Sequence, residues 1–190
     1  MRIPGFVDLQ INGYAGISFS SIDHTLDDFK NAIRVVFSKS GCVAILVTVI
    51  TSSWQVYEKN LPMLASICQS DEFRGRVLGI HLEGPFISSK TGALGCHPKD
   101  CVLLPTLKRF RRLQQLCDGN LRMITMAAES PGAPEICREA VASNVCVSLG
   151  HQLASESDIE RMVRHLSLSL SVSVCACQQS IDNKTDTSWS

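Results

Sequence analysis

The chain has 190 residues, 18 basic and 18 acidic side chains, and a hydrophobic fraction of 45%. That length suits one domain with a sizeable core, and the balanced charge leaves no electrostatic footprint for nucleic acid or an anionic membrane. The longest apolar run, residues 42–50, is too short to span a bilayer and ends in Thr51-Ser52-Ser53.

In chain order, Met1-Arg2-Ile3-Pro4 leads straight into an apolar run, Phe6 to Ile11, without the pattern of a secretory leader. Leu26, Phe29, Ile33 and Val36 then repeat at three and four, which predicts an amphipathic helix. Thr25 with Asp28 forms its capping box, and Gly41 suits its stop. The second apolar run is Cys42 to Ile50 and the third Val77 to Leu82. Leu107, Phe110, Leu113 and Leu116 predict another helix, around the basic stretch Lys108-Arg109-Phe110-Arg111-Arg112. That stretch reads as the solvated face of the helix in preference to a phosphate or nucleic-acid patch. Leu121 to Met126 and Val145 to Leu149 are the fourth and fifth runs, and Ser155 with Asp158 opens a last helix through Ile159, Met162 and Val163. The runs are short, β-branched and bounded by Gly, Pro and Ser, which predicts strands buried on both faces. Leu166 to Val174 alternates Leu or Val with Ser, a further strand pattern with one polar face, and residues 178–190 are polar and aperiodic, expected to be disordered.

Nine cysteines at irregular spacing are not a disulfide framework. Cys42, Cys137 and Cys146 lie in apolar segments and read as small buried hydrophobes; Cys175-Ala176-Cys177 is too tight for the usual zinc spacing. A reducing, cytoplasmic compartment is expected.

Strict strand–helix alternation means right-handed βαβ units and a parallel sheet, either an open doubly wound sheet or a (β/α)8 barrel. No Gly-rich phosphate loop follows the first strand, which favours the barrel. Chemistry in a barrel sits at the C-terminal ends of the strands, and the polar residues of interest lie there. His81-Leu82-Glu83-Gly84-Pro85-Phe86 puts a carboxylate at the end of the third run, followed by a turn. Taken alone, His81 and Glu83 are equally well a buried hydrogen-bonded pair. Ser148-Leu149-Gly150-His151 puts a histidine just past the fifth run, and Glu plus His from two strand ends makes half of a metal site. Gln10 and Asn12, two apart on the first strand, point the same way. His97 lies in Gly95-Cys96-His97-Pro98, after the third run, and by itself reads as a surface histidine.

The run Pro4 to Gly13, the hexapeptide His81 to Phe86, Cys96-His97-Pro98, Leu121 to Glu129 and Val147 to His151 occur in an order and spacing that resemble the N-acetylglucosamine-6-phosphate deacetylases of the amidohydrolase superfamily. The resemblance covers residues 3–163. It implies a partial (β/α)8 barrel comprising roughly the first five βα units, with residues 1–163 as the N-terminal half of the catalytic barrel and 164–190 as a divergent tail. Most amidohydrolases carry His-x-His on the first strand; this family has Gln-x-Asn, matched here by Gln10 and Asn12. That argues for one divalent ion instead of two, and against a cyclic-amide hydrolase.

Carried over residue by residue, the resemblance makes Glu83 and His151 metal ligands, makes His97 the catalytic contact to the substrate's acetyl carbonyl, and leaves Gln10 and Asn12 lining the pocket. Zinc is the expected ion, with iron, cobalt and manganese compatible. The activity implied is hydrolysis of the acetamide of N-acetylglucosamine 6-phosphate, with a small-molecule partner and a homo-oligomer allowed by the family pattern. Some positions depart from that pattern. The loop from Ser88 to Cys96 is longer, Val47 and Ala128 stand where prolines are common, and Gln152 replaces a serine. After Val163 the segments carrying a third ligand histidine and a general-base aspartate find no match. The alternative expectation is therefore an inactive, truncated or splice-variant fragment.

Overall fold

A computed structural model describes residues 4–164 and the backbone of 173–174. In chain order the elements are β1 (Phe6–Ile11), a hairpin of β2 (Gly13–Tyr14) and β3 (Ile17–Ser18), α1 (Leu26–Lys39), β4 (Cys42–Ile50), α2 (Trp54–Gln69), β5 (Val77–Glu83), a 3₁₀ turn (Lys99–Cys101), α3 (Leu107–Leu116), β6 (Leu121–Met126), α4 (Ala133–Ala142), β7 (Cys146–Leu149), α5 (Glu156–Arg164) and β8 (Ser173–Val174). The main sheet has the order β1-β4-β5-β6-β7-β8 and every adjacent pair is parallel. Its five βα units curl into a half barrel.

The helices form where the sequence places their caps. Thr25 N donates to the Asp28 carboxylate and Asp28 N to the Thr25 hydroxyl across the first turn of α1. Ser155 and Asp158 do the same at α5, with Ser155 N 2.9 Å from Asp158 Oδ2. Thr106 caps α3 through Arg109 N.

Alternation along the strands divides each apolar run between two environments. Ile45, Val47 and Val49, then Ile80 and Leu82, Ile124 and Met126, Val147 and Leu149, pack with Phe29, Ile33, Tyr57, Leu61, Phe110 and Ile136 in one cluster between sheet and helices. The intervening positions carry the buried polar side chains Thr48, His81, Glu83, Thr125 and Ser148. The inner face of the half barrel is thus polar where the strands end.

The strand at the edge differs from expectation. Phe6, Val7 and Leu9 are 62%, 53% and 47% exposed, because among the described residues β1 pairs only with β4. The basic stretch of α3 is a solvated helix face. Phe110, Leu113 and Leu116 are buried, while Arg111 pairs with Glu139 at 2.7 Å and Arg112 with Glu58 at 3.5 Å on neighbouring helices. Cys42 and Cys137 are buried as small hydrophobes, whereas Cys146 is only half-buried. Of the strand expected over Leu166–Val174, Ser173 and Val174 lie parallel beside β7; the rest of it, and the tail to residue 190, fall outside the described residues. Among the described residues no helix is long and apolar enough to cross a membrane.

Candidate metal centre

Glu83 is the last residue of β5, and Gly84 follows with φ +93°. A Cβ at Gly84 would lie 2.1 Å from Thr51 Oγ1, so only glycine lets the chain turn there against β4. Thr51 Oγ1 donates to the Glu83 carbonyl at 3.2 Å, and Gly84 N donates to Thr125 O at 2.9 Å, fixing the strand end from both sides.

His151 sits two residues beyond β7 with φ +51°, a left-handed conformation uncommon for residues with a Cβ. Two contacts hold it there. Its carbonyl accepts from Ser88 N at 2.9 Å, and its Nδ1 lies 3.0 Å from Ala93 O. A carbonyl can only accept, so Nδ1 carries a proton, and Nε2 is the ring atom turned to Glu83, to which it donates when the metal-free ring is protonated.

Residues 84–106 fold back over the strand ends. Leu103 N donates to Pro85 O at 3.0 Å and Ala127 N to Phe86 O at 2.9 Å. This folding buries His97 to 4% exposure, correcting the surface reading of that residue taken alone.

The three side chains converge. His151 Nε2 is 3.1 Å from Glu83 Oε1, His97 Nε2 is 3.3 Å from His151 Nε2, and His97 Nε2 is 3.9 Å from Glu83 Oε1. They form a Glu–His–His group whose candidate ligand atoms lie within 4.8 Å of one another. Ligands about 2.0–2.2 Å from a tetrahedral ion lie about 3.4 Å apart, so the spacing fits one cation. The His151 Nδ1 bond to Ala93 O is of the kind that orients metal-ligating histidines. The Nδ1 of His97 is buried with no partner among the described residues.

The electrostatics are consistent with this. Burial works against the Glu83 carboxylate, but the hydrogen bond from His151, the charges of both histidines and a side-chain hydrogen bond from Gln10 together hold its pKa below the usual value. Burial and the His151 charge push His97 down. The hydrogen bond to Glu83 raises His151.

Gln10 is exposed on β1 and bears on the cluster by lowering the Glu83 pKa. Asn12 has an exposed side chain, and its carbonyl accepts from Phe19 N at 3.0 Å. His81 is not paired with Glu83. Its Nε2 lies 2.8 Å from Thr125 Oγ1 and its Nδ1 3.1 Å from Leu9 O. The sequence also gave no sign that two departures from the family pattern touch each other. Ala128, unlike a proline, has an N–H, and it donates to Gln152 Oε1 at 3.0 Å. Leu153 N donates to Glu129 Oε1 at 2.7 Å beside it, so the turn after β7 is tied to the end of β6.

A parallel half barrel with a Glu–His–His cluster beside its strand ends defines a partial (β/α)8 barrel with a possible metal site. The comparisons with known proteins narrow that class. No family model matches the chain. It is 37% identical over 157 residues to the N-acetylglucosamine-6-phosphate deacetylase of Caenorhabditis elegans, an alignment covering 80% of this chain and 37% of that protein. The crystal structure of the N-acetyl-D-glucosamine-6-phosphate deacetylase of Mycobacterium smegmatis superimposes with a TM-score of 0.76 at 26% identity, covering 86% of this chain and 41% of that one. A mutant of the M. smegmatis enzyme, crystallised with N-acetyl-D-glucosamine-6-phosphate, matches with a TM-score of 0.74 at 26% identity, covering 86% and 40%. The chain is a homologue of the N-acetylglucosamine-6-phosphate deacetylases and spans about two fifths of the length of these relatives.

Proposed function

We propose that the chain carries the metal-binding part of a deacetylase site for N-acetylglucosamine 6-phosphate. The observation that carries this reading is the convergence of Glu83 and His151, 3.1 Å apart on two strand ends, with His97 directed at the same point. Glu83 and His151 hold the cation, and zinc suits this mixed oxygen and nitrogen donor set. His97 stands further from the carboxylate, at 3.9 Å, and is the group that faces the acetyl carbonyl oxygen. Gln10 helps to hold the Glu83 pKa down, and it and Asn12 line the rim of the same pocket. A divalent cation, when bound, supplies Lewis acidity toward an amide carbonyl and a water molecule.

Glu83 is the sole carboxylate in the cluster found among the described residues. Committed to the cation, it is not available as a general base, a role worth about 10²–10⁴ in rate. The second reading is therefore a chain that binds metal without efficient turnover.

Zinc affinity of the full chain, read by competition with a chromophoric chelator, tests the site. One ion per chain is expected. Glu83→Ala and His151→Ala should abolish binding, and His97→Ala should weaken it less than about tenfold. A wild-type chain that takes up no zinc overturns the metal reading. Acetate release from N-acetylglucosamine 6-phosphate by the zinc-loaded chain separates the two functional readings.

A further inference from the structure

We infer that Gly95 is a positioning residue of the metal centre. It completes a tight turn, residues 90–97, that sets His97 and His151 together. The consequence for metal binding rests on the reading of the cluster as a cation site; the geometry does not.

β7 ends at Leu149, and the backbone of His151 just beyond it is left-handed, with φ +51°. The loop between β5 and α3 sets the ring. His151 Nδ1 donates to Ala93 O at 3.0 Å, and the His151 carbonyl accepts from Ser88 N at 2.9 Å. The His97 ring stands edge-on to it, with centroids 4.3 Å apart and planes at 67°. Gly95 covers a further side. A Cβ there would lie 3.4 Å from His151 Cε1 and 3.6 Å from Nδ1, so the bare Cα of Gly95 faces the ring edge that joins the two nitrogens.

The turn that makes these contacts is held by its own backbone. Lys90 O accepts from Ala93 N at 3.2 Å and from Leu94 N at 3.1 Å, and Leu94 O accepts from His97 N at 3.3 Å. Ala93, which bonds one histidine, and His97, the other histidine, thus sit at two ends of one short stretch. Gly95 lies between them with φ +61°, where glycine is unstrained and a β-branched residue is not. A change in its dihedral angles swings His97 relative to Ala93, and so moves both histidines at once. Gly95 is exposed, so a side chain there takes no core volume. A single methyl makes ordinary contact with the ring, whereas a branched side chain carries further atoms beside Cε1. Gly75 supplies the comparison. It precedes β5, at the opposite end of that strand from Glu83, and has φ +75° with no atom within 4 Å of a Cβ.

The test uses the full chain, metal-free and with zinc. In the metal-free chain the NMR signal of the His151 Nδ1 proton reports its bond to Ala93, and a nuclear Overhauser effect from His151 Hε1 to the Gly95 α-protons reports the contact. Gly95→Val should abolish the Nδ1 signal and shift the ring signals of both histidines. Gly95→Ala, which is milder, should shift the same signals in the same direction by less. Gly95→Asn, which tolerates a left-handed backbone, should keep the Nδ1 signal. Gly75→Val imposes the same kind of backbone strain and should leave both rings unchanged. With zinc, the dissociation constant should rise about tenfold or more in Gly95→Val, as when a partner that orients a ligand is lost, and should keep its wild-type value in Gly75→Val. Histidine ring signals unchanged in both Gly95→Val and Gly95→Ala overturn the proposal. So does an equal loss of zinc affinity in Gly95→Val and Gly75→Val. Failure of the wild-type chain to bind zinc overturns the metal reading alone, since the ring signals are read without metal.

Discussion

The two ends of the parallel sheet differ. Around β5, β6 and β7 each strand has neighbours on both sides, and the loop of residues 84–106 is tied back by Leu103 to Pro85 and Ala127 to Phe86. The side chains of chemical interest there are buried and cross-bonded. At β1 the same kind of apolar sequence is half in solvent, its ladder broken after Asp8 and resumed at Ile11. A run of Val, Leu and Ile is thus no guarantee of burial. Neighbouring strands supply the burial, and a functional group on an edge strand must borrow its order from elsewhere in the fold.

The sharpest way to expose that contrast is to remove the same amount of side chain from each region. Ile45 is fully buried in the cluster between β4 and the helices, so Ile45→Ala should cost about 2–5 kcal/mol through lost burial and a residual cavity. Leu9→Ala, at a site 47% exposed, should cost less than about 1 kcal/mol, since little area leaves water on folding. Urea unfolding of both variants measures the gap, and equal costs would show that β1 is covered in solution by something the described residues lack.

A smaller effect is expected where the ends of β6 and β7 meet. Gln152→Ala strands the buried N–H of Ala128 and should cost about 1–3 kcal/mol. Gln152→Ala combined with Ala128→Pro removes donor and acceptor together, and should recover part of the loss. A double-mutant cycle by urea unfolding gives the coupling; simple additivity would mean the bond contributes nothing.

The smallest effect is the pH dependence of the metal-free chain. Glu83 is lowered from its ordinary 4.5, so its contribution is present above that pH and lost as pH falls through the folded value. His151 is raised from 6.5, chiefly by Glu83, so its contribution is full below 6.5 and lost as pH rises through the folded value. The pair therefore stabilises the fold most between about pH 4.5 and 6.5. His97, pushed down by burial and by the His151 charge, works against the fold as pH falls below 6.5, where the unfolded chain takes up the proton first. Thermal unfolding followed across pH 4 to 9 should show the Glu83–His151 contribution in the wild type and its loss in Glu83→Gln. Zinc binding should show the opposite slope over the same alkaline limb, strengthening as protons leave the imidazoles.

The one-dimensional pattern already carried the alternating architecture. The period-two runs, the capping boxes at Thr25 and Ser155 and the spacing on α3 are local signals, and local interactions satisfy them. The motif around Glu83 and the glycine before His151 likewise marked two strand ends. Short-range chemistry said nothing, however, of the 3.1 Å separation between residues 68 apart in sequence. It left His97 looking like a surface residue, because only the fold of residues 84–106 buries it. It allowed His81 to be a partner of Glu83, whereas the ring turns to Leu9, Thr48 and Thr125 on three other strands. The pairing of Ala128 with Gln152 was equally hidden, since the two lie 24 residues apart and meet only where parallel strands end side by side. Periodicity and caps depend on neighbours a few residues away, so the chain alone determines them. Edge or centre and convergence of ligands depend on which strands lie together, and only the tertiary structure decides that.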